Sequence, residues 1–353
     1  MELHVVSDEY MTNNLKNKSI LVTGSAGFIG ANLVLKLLQS SEPKFIVGLD
    51  NLNDYYDVSL KEYRLSQIEQ ESSKHPEIQY VFVKADLADK DAINKAFNDY
   101  KFDIVVNLAA QAGVRYSIDN PDAYINSNII GFYNIIEACR HSDIEHLIYA
   151  SSSSVYGGNE KVPFSVEDKT DSPVSLYAAT KKSDELLAYA YSKLYNIPTT
   201  GLRFFTVYGP AGRPDMAYFK FTNKLINDEK IQIFNYGKCK RDFTFADDIV
   251  EGVIRVMHGN PAPYRLYNIG NQNPVNLMDF VQILAEELIS AGILPADFDI
   301  ESHIELVPMQ PGDVETTYAD TSALERDFGY KPTTELREGL KQFANWYKTF
   351  YEL

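Results

Sequence analysis

Short apolar runs alternate with helical segments through the first half of the chain. Runs rich in Val, Ile and Leu predict buried strands, at 19–24, 44–50, 78–87, 102–110, 146–152 and 198–209. Apolar residues that recur every three or four positions predict intervening helices, at 28–40, 131–141 and 175–195. Strands that are apolar throughout and alternate with helices are typical of a parallel sheet covered on both faces. We therefore predict an α/β fold built on a Rossmann-type, doubly wound parallel sheet.

After residue 210 the pattern becomes mixed, with longer polar intervals between apolar segments. It predicts helices at 218–228 and 276–292, a short strand at 231–237, and a strand and helix at 241–257 that return to the first sheet. We predict an N-terminal extension at 1–17 and a Rossmann domain at 18–205. A smaller, mixed α/β lobe follows at 206–353. The two lobes are interwoven, because the chain is expected to return to the Rossmann domain around 241–271. A ligand is expected between the two lobes, beyond the carboxyl ends of the strands.

Composition and charge exclude several classes of function. The 353 residues carry a formal net charge of −16, which disfavours a nucleic-acid partner because such surfaces need an excess of Lys and Arg. The two cysteines, Cys139 and Cys239, form no CxxC pair, so we expect no disulfide framework, no metal site and a reducing cytoplasm. No apolar run approaches the roughly 20 residues that span a bilayer, so no membrane association is expected.

A glycine-rich sequence, TGSAGFIG at 23–30, follows the first predicted strand and opens a helix. Its glycines allow a tight turn (Gly24), a close approach of the backbone to a pyrophosphate (Gly27) and close packing of helix on strand (Gly30). The GxxGxxG spacing alone is weak evidence and favours a plain glycine-rich turn over a cofactor site. Asp50 ends the second strand, where a carboxylate accepts both hydroxyls of an adenine ribose and repels a 2′-phosphate. We therefore predict NAD rather than NADP as the cofactor.

Polar or small residues end the neighbouring strands at the same edge of the sheet. The sequence ADL at 85–87 can flank an adenine, and the small residues of NLAA at 107–110 leave room for a cofactor. The alternative is that these strand ends are simple polar turns. The predicted cofactor contacts are Gly24, Gly27, Phe28, Ile29, Gly30, Asp50, Asn51, Asp86, Leu87, Ala109, Ala110, Tyr177, Lys181 and Phe204.

Tyr177 and Lys181 lie four residues apart in YAATK, on one face of the helix predicted at 175–195. A free tyrosine has a pKa of about 10 and is a weak base near neutrality. A nearby ammonium and a positive nicotinamide ring both favour the phenolate, and the same ammonium can hold the nicotinamide ribose. Such a pair also occurs by chance in ordinary helices. Its position after a dinucleotide loop is what favours catalysis.

Five motifs, in this order, resemble the extended short-chain dehydrogenase/reductase family: TGSAGFIG, Asp50, NLAAQAG, SSSSVYG and YAATK. Longer stretches resemble its UDP-glucuronate 4-epimerases, namely DNLNDYYDVSLKEYRL, SLYAATKKSDELLA, LRFFTVYGPAGRPDMA, RDFTFADDIVEGV and MQPGDVETTYAD. The resemblance implies that Tyr177 takes the proton of the sugar 4-OH while NAD accepts the C4 hydride. The 4-keto sugar then rotates and is reduced on its opposite face. Ser152 is implied to hydrogen-bond the 4-oxygen, and Lys181 to tune Tyr177.

The resemblance also bears on the fate of the 4-keto sugar. Related 4,6-dehydratases carry an acidic pair at the positions of Ser153 and Ser154, and decarboxylases carry Glu at the second. With serine at both positions, the site lacks the acid and the base that elimination requires. It also places no negative charge next to a substrate carboxylate. A uronate is therefore implied, with its carboxylate near Ser153, Ser154, Thr206 and Arg213. A solvated loop position explains Arg213 equally well, and Arg115 is a weaker second cation.

The rest of the nucleotide sugar is expected under the second lobe. The resemblance assigns the diphosphate to Arg241, the uracil to Phe234 and the uridine ribose to Asp313. Gln310 stands where galactose epimerases often carry Arg, and Thr317 where a Tyr excludes N-acetyl sugars in some relatives. A UDP-glucose or UDP-N-acetylhexosamine(uronate) 4-epimerase therefore remains an alternative.

Two further expectations concern partners and class. The resemblance implies a homodimer formed by helices near 125–141 and 175–195. A catalytically silent NAD-sensing protein is the rival class of function. Intact Ser152, Tyr177 and Lys181 disfavour it.

Overall fold

The fold is taken from a computed structural model, which describes residues 14–309 and 315–353. Most of the predicted N-terminal extension lies outside these residues, as do Gln310 and Asp313. The strands are β1 Ser19–Thr23, β2 Phe45–Asp50, β3 Gln79–Lys84, β4 Ile104–Asn107, β5 His146–Ser152, β6 Thr199–Phe204, β7 Thr206–Tyr208, β8 Ile231–Ile233, β9 Lys240–Phe245, β10 Tyr264–Ile269, β11 Pro274–Asn276, β12 Ile304–Leu306 and β13 Thr316–Thr317.

Helices separate most of these strands. They are α1 Phe28–Ser40, α2 Val58–Lys74, α3 Lys90–Tyr100, α4 Tyr116–Asp119, α5 Pro121–Tyr124, α6 Gly131–Arg140, α7 Leu176–Tyr195, α8 Ala217–Ile226, α9 Ala246–His258, α10 Leu277–Ser290, α11 Ser322–Phe328 and α12 Leu336–Phe350. A π-helical stretch at Ile125–Ile130 joins α5 to α6. Among the described helices, none combines the length and the apolar character needed to cross a membrane.

The predicted parallel sheet is confirmed and has seven strands in the order β10-β6-β5-β4-β1-β2-β3, all parallel. From β3 inward this is the doubly wound order 3-2-1-4-5-6. The strand order reverses between β1 and β4, so a crevice is expected at their carboxyl ends.

Helices cover both faces of this sheet because successive strand residues point in opposite directions. Ile20 and Val22 of β1 belong to a core shared with α1 and α9. Leu21, between them, belongs to a second core shared with α3 and α6. All three side chains are fully buried. Burial on both faces explains why the strand has no polar alternation.

A smaller mixed sheet lies beyond the first. In it β9 pairs with β7 in parallel and with β11 in antiparallel fashion, and β13 also pairs with β9. Strands β8 and β12 form a separate two-stranded parallel pair. Helices α8, α10 and α12 pack against these strands around a core that includes Phe219, Phe280 and Phe343.

Three predicted elements differ from the structure. The strand expected at 198–209 is two strands, β6 and β7, which lie in different sheets; Phe205 between them donates its N–H to the Ile269 carbonyl. The strand expected at 231–237 ends at Ile233, because Asn235 and Tyr236 adopt left-handed backbone conformations with φ of 50° each. Within 241–271, β9 stays in the second sheet, and only α9 and β10 rejoin the first.

A buried ion pair holds α7 against the central strands. The Glu185 carboxylate of α7 accepts from Nε and Nη2 of Arg203 on β6, at 2.7 and 2.9 Å. Both side chains are almost solvent-free, 1% and 2% exposed. Ser151 of β5 donates to Glu185 at 2.7 Å, and Arg203 Nη1 donates to Tyr156 OH at 3.0 Å. Burial opposes the charge on Glu185, but Arg203 prevails and keeps the pKa of Glu185 below its usual value.

We predict that Arg203→Ala lowers the free energy of unfolding by about 3–5 kcal/mol, because the buried Glu185 carboxylate loses its bidentate partner and keeps only the Ser151 hydroxyl and the Lys182 ammonium at 3.3 Å. Urea unfolding followed by circular dichroism measures the change. Arg326→Ala is the control, since Arg326 pairs with Asp327 on the exposed surface. An Arg203→Ala midpoint equal to that of the control would contradict the importance of the buried pair.

Candidate active site

One cavity of about 810 Å³ opens at the carboxyl ends of the parallel strands. Every site residue predicted from the sequence and present among the described residues lines it. The cavity runs from the glycine loop, past Ser152, Tyr177 and Lys181, to Phe234 and Arg241. It therefore brings together residues from both sheets. Asp313, expected at the uridine end, lies outside the described residues.

The glycine loop fits a dinucleotide by its geometry. Gly24 has φ of +70°, and a Cβ on it would lie 2.8 Å from the backbone nitrogen of Ala109. A Cβ on Gly30 would lie 2.1 Å from the Gly24 carbonyl oxygen. Neither position accepts a side chain, so the start of α1 lies against the loop. Phe28, Ile29 and Gly30, the first residues of α1, line the cavity, so a pyrophosphate bound there would meet the N-terminus of this helix.

Hydrogen bonds connect the residues that follow the carboxyl ends of β2 and β3. Asp50 accepts from the backbone N–H of Ala26 at 3.2 Å and of Leu52 at 2.9 Å. Asn51 donates to Asp86 at 2.8 Å. These bonds fix the carboxylate that was predicted to meet a ribose and the residue predicted to flank the adenine. Lys61, which sequence reasoning missed, lies 3.8 Å from Asp50.

Arg64 of α2 ties the glycine loop to a second loop of the cavity. Its Nη1 donates to the Ala26 carbonyl at 2.9 Å. Its Nε and Nη2 donate to the Ala211 and Gly212 carbonyls at 2.9 and 3.0 Å. The side chain is buried. Because Gly212 directly precedes Arg213, Arg64 links the glycine loop to the loop that carries Arg213.

All four serines of the run line the cavity. The Ser151 hydroxyl is nevertheless committed to the core, because it donates to the buried Glu185 carboxylate. Ser152 ends β5, and its hydroxyl oxygen accepts from the Ser154 N–H at 3.1 Å, which starts a short 3₁₀ turn at Ser153–Tyr156. The turn presents consecutive hydroxyls at the strand end. No acidic side chain occupies positions 153 and 154.

Tyr177 and Lys181 lie in the first turns of α7. Ser175 caps this helix by accepting from the Ala178 N–H at 3.1 Å. Tyr177 lines the cavity, with its ring 6.0 Å from that of Tyr124 in an edge-on arrangement. The Lys181 ammonium donates to the buried Asp184 carboxylate at 3.0 Å. Sequence reasoning paired Lys181 with Tyr177 and missed this carboxylate.

Arg213 is not a solvated loop arginine. Its Nε donates to Asp215 Oδ1 at 3.0 Å, and its Nη2 donates to Oδ2 at 2.5 Å. Burial opposes the charge of Arg213, but Asp215 prevails and raises the pKa of the guanidinium above its usual value; Tyr177 is close enough to add to that effect. Tyr55 donates to Asp215 Oδ2 at 3.3 Å. Burial, reinforced by Asp215, raises the pKa of Tyr55 to about 12, so it stays a neutral donor.

Two other predicted cations lie at the far end of the cavity. The Arg115 guanidinium lies 5.4 Å from the ring centroid of Phe234, a cation–π distance. Arg241 donates through Nη1 to the Lys240 and Glu315 carbonyls at 2.9 and 3.0 Å. Thr317 pairs with Arg241 along β13 and is not among the residues that line the cavity. Aromatic and cationic groups thus adjoin where a uracil and a diphosphate were predicted.

The chemistry available is acid–base chemistry by hydroxyl groups. Among residues 14–309 and 315–353, no group of three or more His, Cys, Asp or Glu side chains could hold a metal ion. The hydroxyl groups of Tyr177 and Ser152 line the cavity together with the basic side chains of Lys181 and Arg213. A phenolate is stabilised by neighbouring cations, and this arrangement suits proton transfer to and from a bound alcohol.

Comparison with known proteins agrees with this geometry. A family model described as GDP-mannose 4,6 dehydratase matches residues 21–343. Protein CapI of Staphylococcus aureus is 49% identical over 350 residues, which cover 94% of this chain and 99% of that protein. UDP-glucuronate 4-epimerase 4 of Arabidopsis thaliana is 43% identical, with 96% of this chain and 77% of that protein covered.

A solved structure extends the similarity to the fold. The UDP-glucuronic acid 4-epimerase of Bacillus cereus, crystallised with UDP-glucuronic acid and NAD, matches with a TM-score of 0.83 and 32% identity, covering 94% of this chain and all of that one. The family model and the relatives both span nearly the whole described chain. The chain therefore belongs to the extended short-chain dehydrogenase/reductase family of NAD-dependent nucleotide-sugar epimerases and dehydratases.

Proposed function

We propose that this protein interconverts UDP-glucuronate and UDP-galacturonate by epimerisation at C4. The observation that carries the proposal is the wall of the cavity around Tyr177. There Ser153 and Ser154 replace the acidic residues that elimination requires, and Arg213 supplies a cation close to the reacting groups. Similarity to UDP-glucuronate 4-epimerases over almost the entire chain supports the same substrate.

NAD is proposed as the cofactor, held by the glycine loop, Asp50 and Lys181. When bound, it supplies reversible hydride transfer at the sugar C4. Tyr177 takes the proton of the 4-hydroxyl group on its phenolic oxygen and later returns it. Ser152 donates a hydrogen bond to the 4-oxygen, which carries increasing negative charge as the proton leaves. The two faces of the sugar are served in turn by the same pair of hydroxyl groups.

The substrate carboxylate needs restraint, because a 4-keto uronate is a β-keto acid that can lose CO₂. Ser153, Ser154 and Thr206 offer hydroxyl donors, and Arg213 offers a guanidinium. Asp215 already occupies Nε and one Nη2 proton of Arg213, and Nη1 makes no hydrogen bond within the described residues. A substrate carboxylate would therefore accept from Nη1 and from the second Nη2 proton of Arg213.

Incubation with UDP-glucuronate and NAD is expected to yield UDP-galacturonate, with much slower turnover of UDP-glucose and UDP-N-acetylglucosamine. The physical reason is that only the uronate carries a carboxylate to pair with Arg213. Proton NMR of the sugar anomeric signals separates the products. Predominant turnover of a neutral sugar would contradict the uronate assignment, and UDP-xylose as the main product would indicate a decarboxylase. Undiminished turnover of UDP-glucuronate by Arg213→Ala would contradict the proposed contact between Arg213 and the substrate carboxylate.

Tyr177→Phe is expected to lower kcat by about 10²–10⁴-fold, the range typical for loss of a general acid–base. The ring is retained, so substrate affinity changes little and KM stays near the wild-type value. The matched control is Tyr351→Phe, which removes a phenol near the exposed C-terminal end of α12. Initial rates by coupled assay measure both variants. Equal kcat in Tyr177→Phe and wild type would show that another group transfers the proton.

A homodimer is also proposed, through the outer faces of the π-helical stretch, α6 and α7. Large apolar side chains are exposed there, including Ile130, Tyr133, Leu186 (60% exposed) and Leu194 (69% exposed). We expect Leu186→Glu to convert a dimer to a monomer in sedimentation velocity, because it sets a charge in an apolar interface. Leu306→Glu, on β12, is the control and should leave the dimer intact. A monomeric wild-type protein would refute the dimer without affecting the catalytic assignment.

A further inference from the structure

Lys181 has a dedicated carboxylate partner that lies behind the cavity wall. Asp184 is one helical turn further along α7, and its Oδ2 lies 3.0 Å from Lys181 Nζ. Both side chains are nearly solvent-free, 3% exposed for Lys181 and 1% for Asp184. Lys181 lines the cavity and Asp184 does not. The ion pair therefore reaches from the site into the protein interior.

The hydrogen bonds of Asp184 point to Lys181 alone. Its Oδ1 is buried and makes no hydrogen bond in the described structure. The adjacent Glu185 carboxylate is engaged by Arg203 and Ser151, and Tyr149 of β5 is the titratable group that faces Asp184 from the sheet. Burial raises the pKa of Asp184 to about 7, and Lys181 opposes that rise. A buried carboxylate with a single partner is a poor source of stability.

The number of N–H donors on an ammonium group suggests a role for the ion pair between Lys181 and Asp184. Lysine has three N–H donors and no acceptor. One of them is directed at Asp184, and Lys181 makes no other hydrogen bond within the described residues. Two donors are therefore left without a partner among the described residues, on a side chain that lines the cavity. Two adjacent hydroxyl oxygens, as in the vicinal diol of a ribose, match two such donors.

We propose that Asp184 is a positioning residue, which anchors one donor of Lys181 so that the remaining two are presented to a vicinal diol of the cofactor. The proposal rests on the proposed use of NAD. Without Asp184, the long and flexible lysine chain would lose its fixed direction and bind the diol less well. Asp184 itself touches neither cofactor nor substrate; it acts through Lys181.

The test is a double-mutant cycle on NAD release. Full-length protein loaded with NAD is mixed with isotopically labelled NAD, and the exchange rate is measured by filtration and mass spectrometry. Asp184→Leu, which keeps the size of the side chain, should speed release by about tenfold, the effect of losing one hydrogen bond to a charged group. In a Lys181→Met background the same change should alter the rate by no more than about twofold.

The outcomes separate the alternatives. An equal effect of Asp184→Leu in both backgrounds would show that Asp184 acts on the fold rather than on Lys181, and no effect in the wild-type background would overturn the proposal. Should Asp184→Leu not fold, Asp184→Asn replaces it in the same cycle. Its amide oxygen still accepts from Lys181, so a smaller change of about threefold is expected, again only when Lys181 is present. Failure of the wild-type protein to bind NAD would instead refute the proposed function.

Discussion

The bidentate pair between Glu185 and Arg203 is the contact on which the geometry of the site depends. It joins α7, which carries Tyr177, to β6, and through Ser151 it also joins β5, which ends in Ser152. The two hydroxyl groups proposed to serve the sugar are therefore carried by elements locked to one buried ion pair. A buried charge without its partner is costly, so the arrangement has few alternatives at similar energy.

Charge near Tyr177 is balanced by local pairs rather than by the net charge of the protein. Lys181 is paired with Asp184, and Arg213 with Asp215. Each carboxylate accepts from only some of the N–H donors of its cation. The remaining N–H donors make no hydrogen bond within the described residues. A strongly acidic protein can in this way bind a nucleotide sugar with several negative charges, because a few oriented cations decide the local field.

Close backbone approach sets the other end of the site. Gly24 and Gly30 leave no space for a Cβ, so the start of α1 packs against the loop. Arg64 then ties that loop to the segment before Arg213 by three backbone carbonyls. One buried guanidinium thus bridges the glycine loop and the loop that carries Arg213. Sequence spacing gives no sign of this, since Arg64 is remote from both loops along the chain.

The sequence by itself determined the sheet, its parallel direction and the residues that line its carboxyl edge, because apolar periodicity and strand-end residues are local properties. The single strand predicted at 198–209 was wrong. The chain breaks there at Phe205 because β6 pairs in the first sheet and β7 in the second. Sequence reasoning assigned no role to Ser151 and missed Asp184 and Asp215. Hydrogen-bond partners and burial are decided by packing between distant segments. Only the tertiary structure therefore shows which serine hydroxyl bonds into the core and which carboxylates pair with Lys181 and Arg213.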